Sequence, residues 1–260
     1  MTSPRKTYII ANWKMNFTPG EASLYLHRLS SRIKPDRNIE IVLAPSTVSL
    51  QPLSMQLNRR QFKLAAQNFY WRDYGAYTGE TSVAQIRDFV KYALVGHSER
   101  RHTFNESEED IANKVAAAIR NGITPVLCIG ETLLEREDGE TKAAIFSQLT
   151  EGLHMVAKED ISKVIIAYEP VWAISSNKGA KPANPGDIAE AELIIRGHLA
   201  KLYGMQTAEE TYILYGGSVN SDTASGYLNI PGIDGLLIGN ASLIADSFCA
   251  IVESAKGKDK

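Results

Sequence analysis

Eight short apolar runs recur along this chain, each followed by a stretch with helical spacing, and that alternation narrows the fold more than any single residue does. The runs fall near Thr7–Asn12, Ile39–Ala44, Phe62–Gln67, Lys91–His97, Ile123–Ile129, Val164–Glu169, Tyr212–Gly216 and Gly235–Gly239. Short runs of this kind read as strands buried on both faces, the environment of a parallel sheet. Between them, apolar residues keep to one helical face: Ala22, Tyr25, Leu29 and Ile33; Ile111, Val115, Ala118 and Ile119; Ile145, Leu149, Leu153 and Val156. Thr18-Pro19-Gly20-Glu21 has the form of a capping box with proline at the first helical position, and Asn121-Gly122 the form of a helix stop. Eight strand–helix units in about 250 residues point to a (β/α)8 barrel in one domain spanning the 260 residues, with 255–260 as a frayed tail. A doubly wound sheet is the rival architecture. It would carry G-x-G-x-x-G after the first strand, where this chain has Asn12-Trp13-Lys14-Met15-Asn16.

Composition sets limits on partners. A formal charge of -2 gives no reason to expect nucleic acid or an anionic membrane. No apolar stretch approaches the roughly 18–20 residues that span a bilayer, and Met1–Lys6 does not begin a signal peptide. Two cysteines, Cys128 and Cys249, make no disulfide framework, so the reducing cytoplasm is the expected compartment. Cys128 falls inside a strand and reads as a small buried hydrophobe.

In a barrel of this kind, chemistry collects at the C-terminal ends of the strands. Those ends supply Asn12 and Lys14, then His97-Ser98-Glu99, then Glu169, then Gly216-Gly217-Ser218, then Gly239-Asn240. A carboxylate at a buried strand end is suited to taking a proton from carbon, an imidazole to polarising a carbonyl, and an ammonium to stabilising an enediolate. The small-residue turns expose backbone N–H groups that suit a phosphate. Together such groups can move a proton between adjacent carbons of a phosphorylated hydroxy-carbonyl sugar without a metal. Each has a plainer reading: Lys14 as a solvated loop lysine, His97 as a hydrogen-bonded core histidine, Glu169 as the partner of a basic neighbour, Gly216-Gly217 as a tight turn. Glu99 reads as a pairing partner of Lys14 or an arginine rather than a proton carrier. His97, Glu99 and His102 have no recognised metal-ligand spacing. His27, His154 and His198 lie in expected helices and receive no role.

Five segments, in order along the chain, resemble the triosephosphate isomerase family: Asn12-Trp13-Lys14-Met15-Asn16, Val95-Gly96-His97-Ser98-Glu99-Arg100-Arg101, Cys128-Ile129-Gly130-Glu131, Ala167-Tyr168-Glu169-Pro170-Val171-Trp172-Ala173-Ile174 and Tyr215-Gly216-Gly217-Ser218-Val219. The resemblance implies a TIM barrel that interconverts dihydroxyacetone phosphate and glyceraldehyde 3-phosphate, a step of glycolysis and gluconeogenesis, with no cofactor. It implies Glu169 as the base, neutral His97 as the electrophile, Lys14 as enediolate and phosphate contact, and Asn12 lining the same wall. Phosphate would rest on backbone N–H groups of Ser175, Ser218, Gly239 and Asn240, under a lid running from Pro170 to Ala180 that Tyr215 and Ser218 hold shut. The family is dimeric, which implies that Thr78 reaches the neighbouring subunit's site and that Glu80 pairs with the neighbour's Arg101 or lies close to it.

The chain departs from the family pattern in the lid, where Ile174-Ser175-Ser176-Asn177-Lys178 lacks the usual two glycines, and after the last strand, where Gly239-Asn240 replaces Gly-Gly. An insertion around Asn184-Pro185-Gly186 is expected to alter only a helix entry. These changes motivate one alternative, an isomerase of a tetrulose phosphate. A Schiff-base lyase using Lys14 and a non-catalytic barrel are two further readings.

Overall fold

The computed structural model describes residues 5–174 and 181–257. Eight parallel strands close in sequence order into a barrel, β1 pairing with both β2 and β8. They are β1 Thr7–Asn12, β2 Ile39–Ala44, β3 Lys63–Ala66, β4 Tyr92–Val95, β5 Thr124–Ile129, β6 Ile165–Tyr168, β7 Tyr212–Tyr215 and β8 Gly235–Ile238. Helices follow the strands, as the alternating pattern predicts. The Thr18 capping box forms around the helix Pro19–Arg32, and the helix Glu108–Arg120 ends at Asn121 with Gly122 at φ +73°. Most strands are a residue or two shorter than the apolar runs suggest, so His97, Glu169, Gly216 and Gly239 lie just beyond the ladder. The closing helix, Ala245–Lys256, buries Ala255, inside the stretch expected to fray.

The strands are buried on both faces, and successive residues alternate between two cores. Ile9, Ile41, Leu43, Leu127, Ile166 and Ile213 face the helices. Tyr8, Ile10, Val42, Leu94, Val126, Ile165 and Leu214 fill the barrel interior. That interior is graded. At its N-terminal end Tyr8 packs edge-on against Tyr92 and Tyr212, with ring centroids 6.1 and 4.9 Å apart. Burial pushes the Tyr8 hydroxyl up to about 12. At the other end the interior positions are small: Ala44, Cys128 and Ala167. Large rings therefore plug one end and space is left at the other, where the polar strand ends converge.

Candidate active site

Two residues beyond the last interior side chain of a strand, the alternation again points inward. That count reaches Gln67 after β3, Gly96 after β4, Gly130 after β5, Glu169 after β6, Gly216 after β7 and Gly239 after β8, while Asn12 closes β1. Glycine predominates in this layer, and two of these glycines make room for Glu169. A Cβ on Gly130 would lie 2.1 Å from the Glu169 carbonyl oxygen, and one on Gly216 would lie 2.7 Å from Glu169 Cγ. The Glu169 N–H donates to Ile129 O at 2.7 Å and the Gly216 N–H to Tyr168 O at 2.8 Å, so the ladder continues on both sides of the carboxylate.

Glu169 is buried, with Oε1 3.5 Å from His97 Nε2 and Oε2 lacking a hydrogen-bond partner among the described residues. The Cys128 thiol lies beside this carboxylate, and burial followed by the Glu169 charge pushes its pKa well up, so it is an inert thiol. His97 caps the short helix Ser98–His102: its Nδ1 accepts the Glu99 N–H at 3.2 Å. A ring nitrogen that accepts holds no proton, so the imidazole is neutral and its single N–H, on Nε2, faces Glu169. Ser98 is buried as the first residue of that helix.

Lys14 completes the group. Its Nζ lies 2.6 Å from Glu99 Oε1, and Glu99 Oε2 lies 3.8 Å from His97 Nδ1. Glu99 thus takes the pairing role expected of it. A Cβ on Gly239 would lie 3.7 Å from Lys14 Cε, which puts the start of the last turn beside the ammonium. Lys14 holds a left-handed backbone, φ 51°, which disfavours a residue with a side chain by roughly 1–2 kcal/mol. Its neighbours fix it there. Asn12 Oδ1 accepts the Lys14 N–H at 3.1 Å, and Gln67 Nε2 donates to Lys14 O and Ala44 O, each at 2.8 Å. Asn12 therefore positions the lysine.

The phosphate and lid residues are less uniformly placed. Ser175 and the lid segment 175–180 lie outside the described residues. The Ser218 N–H donates to Ala173 O at 2.9 Å, so in this conformation it ties down the root of the lid instead of facing a phosphate. Gly239 precedes a 3-10 turn, Asn240–Leu243, with Asn240 exposed. Tyr215 curls under Gly217, where a Cβ would lie 2.0 Å from its hydroxyl. That hydroxyl is buried without a hydrogen-bond partner among the described residues. It lies near Tyr227 and Ala183 O, the carbonyl that the Tyr227 hydroxyl takes at 3.2 Å. The expected insertion is helical: Asn184 caps Pro185–Tyr203 in a capping box with Asp187.

Arg101 is engaged within its own chain, donating to Gly96 O at 2.6 Å, to Cys128 O at 3.1 Å and to Glu108. Glu80 and Thr78 are exposed. Among the described residues no group of three or more His, Cys, Asp or Glu side chains has the geometry to hold a metal ion.

One residue that carries weight here received no role from the sequence. Glu131, fully buried just past β5, accepts the Trp172 Nε1–H at 2.8 Å and the Tyr168 hydroxyl at 3.1 and 3.2 Å. Burial raises its pKa against the opposing pull of those donors and Arg136. It bonds the residue before Glu169 and the lid residue after it. Reading the end of the fifth strand as the others were read would have picked it out.

Fold and site together define a (β/α)8 barrel with a carboxylate, a neutral imidazole and an ammonium at the C-terminal mouth, the equipment for proton transfer beside a carbonyl. Comparison with known proteins sharpens the class. The triosephosphate isomerase family model matches residues 7–255. A triosephosphate isomerase of Caldanaerobacter subterraneus subsp. tengcongensis is 42% identical over 249 residues, covering 95% of this chain and 99% of its own length. One from Lactococcus lactis subsp. lactis is 41% identical over 254 residues, 97% and 99% of the two chains. One from Carboxydothermus hydrogenoformans is 42% identical over 252 residues, 96% and 99%. The chain belongs to the triosephosphate isomerase family.

Proposed function

We propose that this protein interconverts dihydroxyacetone phosphate and D-glyceraldehyde 3-phosphate through an enediolate. Glu169 takes a proton from one carbon and returns it to its neighbour. The Nε2–H of His97 hydrogen-bonds the carbonyl oxygen as it gains negative charge, and the Lys14 ammonium stabilises that charge from the other side. The observation that carries the reading is the Glu169 carboxylate: buried, with one oxygen near the His97 N–H and the other without a partner among the described residues. No hydrogen bond from those residues has to break at Oε2 before it accepts a proton. A binding protein would have no use for a carboxylate held this way, which weighs against a non-catalytic barrel. The pairing of Lys14 with Glu99 keeps that amine in an ion pair, which weighs against a Schiff-base lyase.

Phosphate is held near Lys14 by the backbone of Gly239 and Asn240 and by the lid, with Ser175 and Ser218 contributing once the lid shuts. The Tyr215 hydroxyl, buried without a hydrogen-bond partner among the described residues, supports a latching role for that residue. A homodimer is supported by Met15 at 95% and Tyr74 at 82% exposure, large apolar surface beside the catalytic mouth and in the segment after β3. In such a dimer Thr78 and Glu80 reach the partner's site, with Glu80 near an Arg101 already paired to Glu108. No helix among the described residues is long and apolar enough to cross a membrane, and the free cysteines support a cytoplasmic setting.

Replacing Glu169 by Asp tests the assignment. The shorter side chain withdraws the carboxylate by roughly 1 Å, enough to lower kcat by about two orders of magnitude while the fold stays intact. An unchanged kcat removes Glu169 as the base. Comparing turnover of triose and tetrulose phosphates decides the substrate, and faster turnover of the four-carbon sugar rejects the triose.

A further inference from the structure

The N-terminal end of the barrel, opposite the catalytic mouth, carries positive charge that the chain's formal -2 conceals. Two adjoining clefts open there, of about 600 and 270 Å3, sharing Phe62 and Lys63 as a common wall. Lys6, Arg37, Arg60 and Lys63 line the larger, against Asp36 and Glu40. Glu40 offers little compensation. It is buried and already accepts Lys6 at 2.8 Å, Lys91 at 3.1 Å and the Tyr92 hydroxyl at 3.0 Å. Arg59, Arg87 and Lys91 line the smaller cleft with Lys63, against Asp88 alone.

Arg37, Arg59, Arg60 and Arg87 are exposed, and among the described residues none of their guanidinium groups forms an ion pair with a carboxylate. Elsewhere Arg5, Arg100, Arg101, Arg136 and Arg196 are each matched to an acid, and Arg72 lies over the Trp71 ring, while Arg28 is exposed like the cleft arginines. Burial pushes the Lys63 ammonium down, and Lys91, Lys6 and Arg59 push the same way against Glu40. Cations do gather at the C-terminal ends of helices, but that attraction fades within the last turn. Arg37 lies well past the helix that ends at Arg32, and Arg59 and Arg60 lie past the one that ends at Gln56.

We propose that these clefts form a binding site for a small metabolite bearing two or more phosphate groups. One group sits between Arg37 and Arg60, the other near Arg59 and Arg87, with Lys63 between them. Planar guanidinium forks without acidic partners are suited to phosphate oxygens, which they can bind two at a time. The volumes match a small ligand held in a recess rather than a macromolecule laid across a surface.

The test is calorimetric titration of the intact protein at about 0.15 M salt, where exposed charges beyond about 8 Å are screened. Inorganic tripolyphosphate is the probe and orthophosphate the single-phosphate control. The wild type is expected to bind tripolyphosphate at a site whose affinity falls at least tenfold in Arg37→Gln/Arg60→Gln and again in Arg59→Gln/Arg87→Gln, with isomerase turnover unchanged in both. Orthophosphate is expected to bind much more weakly at that site. Equal tripolyphosphate binding by wild type and both variants overturns the proposal. So does tighter binding of duplex DNA or phosphatidylserine vesicles than of tripolyphosphate through the same arginines.

Discussion

Gly216 offers the sharpest test of how the base is held. A methyl group there would meet Glu169 Cγ at 2.7 Å, Glu169 Oε1 at 3.0 Å and Leu237 Cβ at 3.2 Å. Ordinary carbon–carbon contact begins near 3.5 Å, so Gly216→Ala requires the side chain of Glu169 to move by about 0.8 Å. Retreat of its backbone is blocked, because the carbonyl oxygen of Glu169 already packs where Gly130 has no Cβ. The displacement therefore falls on the carboxylate. A misplacement near 1 Å costs on the order of a hundredfold in rate, equivalent to about 2.7 kcal/mol of activation free energy. Steady-state kinetics in both directions, with circular dichroism and a melting curve on the same samples, measures the effect. Gly226→Ala is the control, since a Cβ there meets nothing within 4 Å. A folded Gly216→Ala protein with kcat within a factor of two of wild type would refute the idea that this glycine sets the position of the base.

Asn12→Ala removes the acceptor that holds the Lys14 N–H, a bond of about 1 kcal/mol, and frees a strained backbone; kcat/KM is expected to fall five- to tenfold with the fold retained. Unaltered kinetics would show that Gln67 alone fixes the lysine. The acid limb of stability is expected to depend on His198, whose Nε2 lies 2.8 Å from Thr150 Oγ1 and whose ring stacks on Phe146 at 4.0 Å. Burial, and then Lys201, push its pKa below the ordinary histidine value, so the unfolded chain binds a proton that the folded one refuses. That contribution is intact above about pH 6.5 and is lost as pH falls through the lower folded value. Melting temperature followed from pH 7.5 to 5 should drop less steeply in His198→Gln than in wild type, and parallel curves would exclude the histidine.

The barrel was legible because its cause is local: runs buried on both faces, caps such as Thr18, and a stop at Gly122 each point the same way. Asn12, Lys14, His97 and Glu169 were legible because strand ends can be located by counting, and the structure brings Lys14, His97 and Glu169 together through Glu99. What stayed hidden depends on contacts between distant segments. Nothing in the sequence around Gln67 says that its amide bridges two carbonyls beneath Lys14. Nothing near Arg101 says that Glu108 occupies it, and nothing around Ser218 says that its N–H meets Ala173 O in this conformation. The small net charge of the chain, -2, likewise hides how unevenly its arginines are distributed.

Glu131 ties the strand that carries the base to the segment that follows it. The carboxylate grips the chain on either flank of Glu169, through the phenol of Tyr168 and the indole of Trp172. Arg136, stacked over that indole at 4.2 Å, stands 3.8 Å from the same oxygen. Were the indole to leave, the guanidinium would be the nearest other donor to that carboxylate, so the anion would keep a partner.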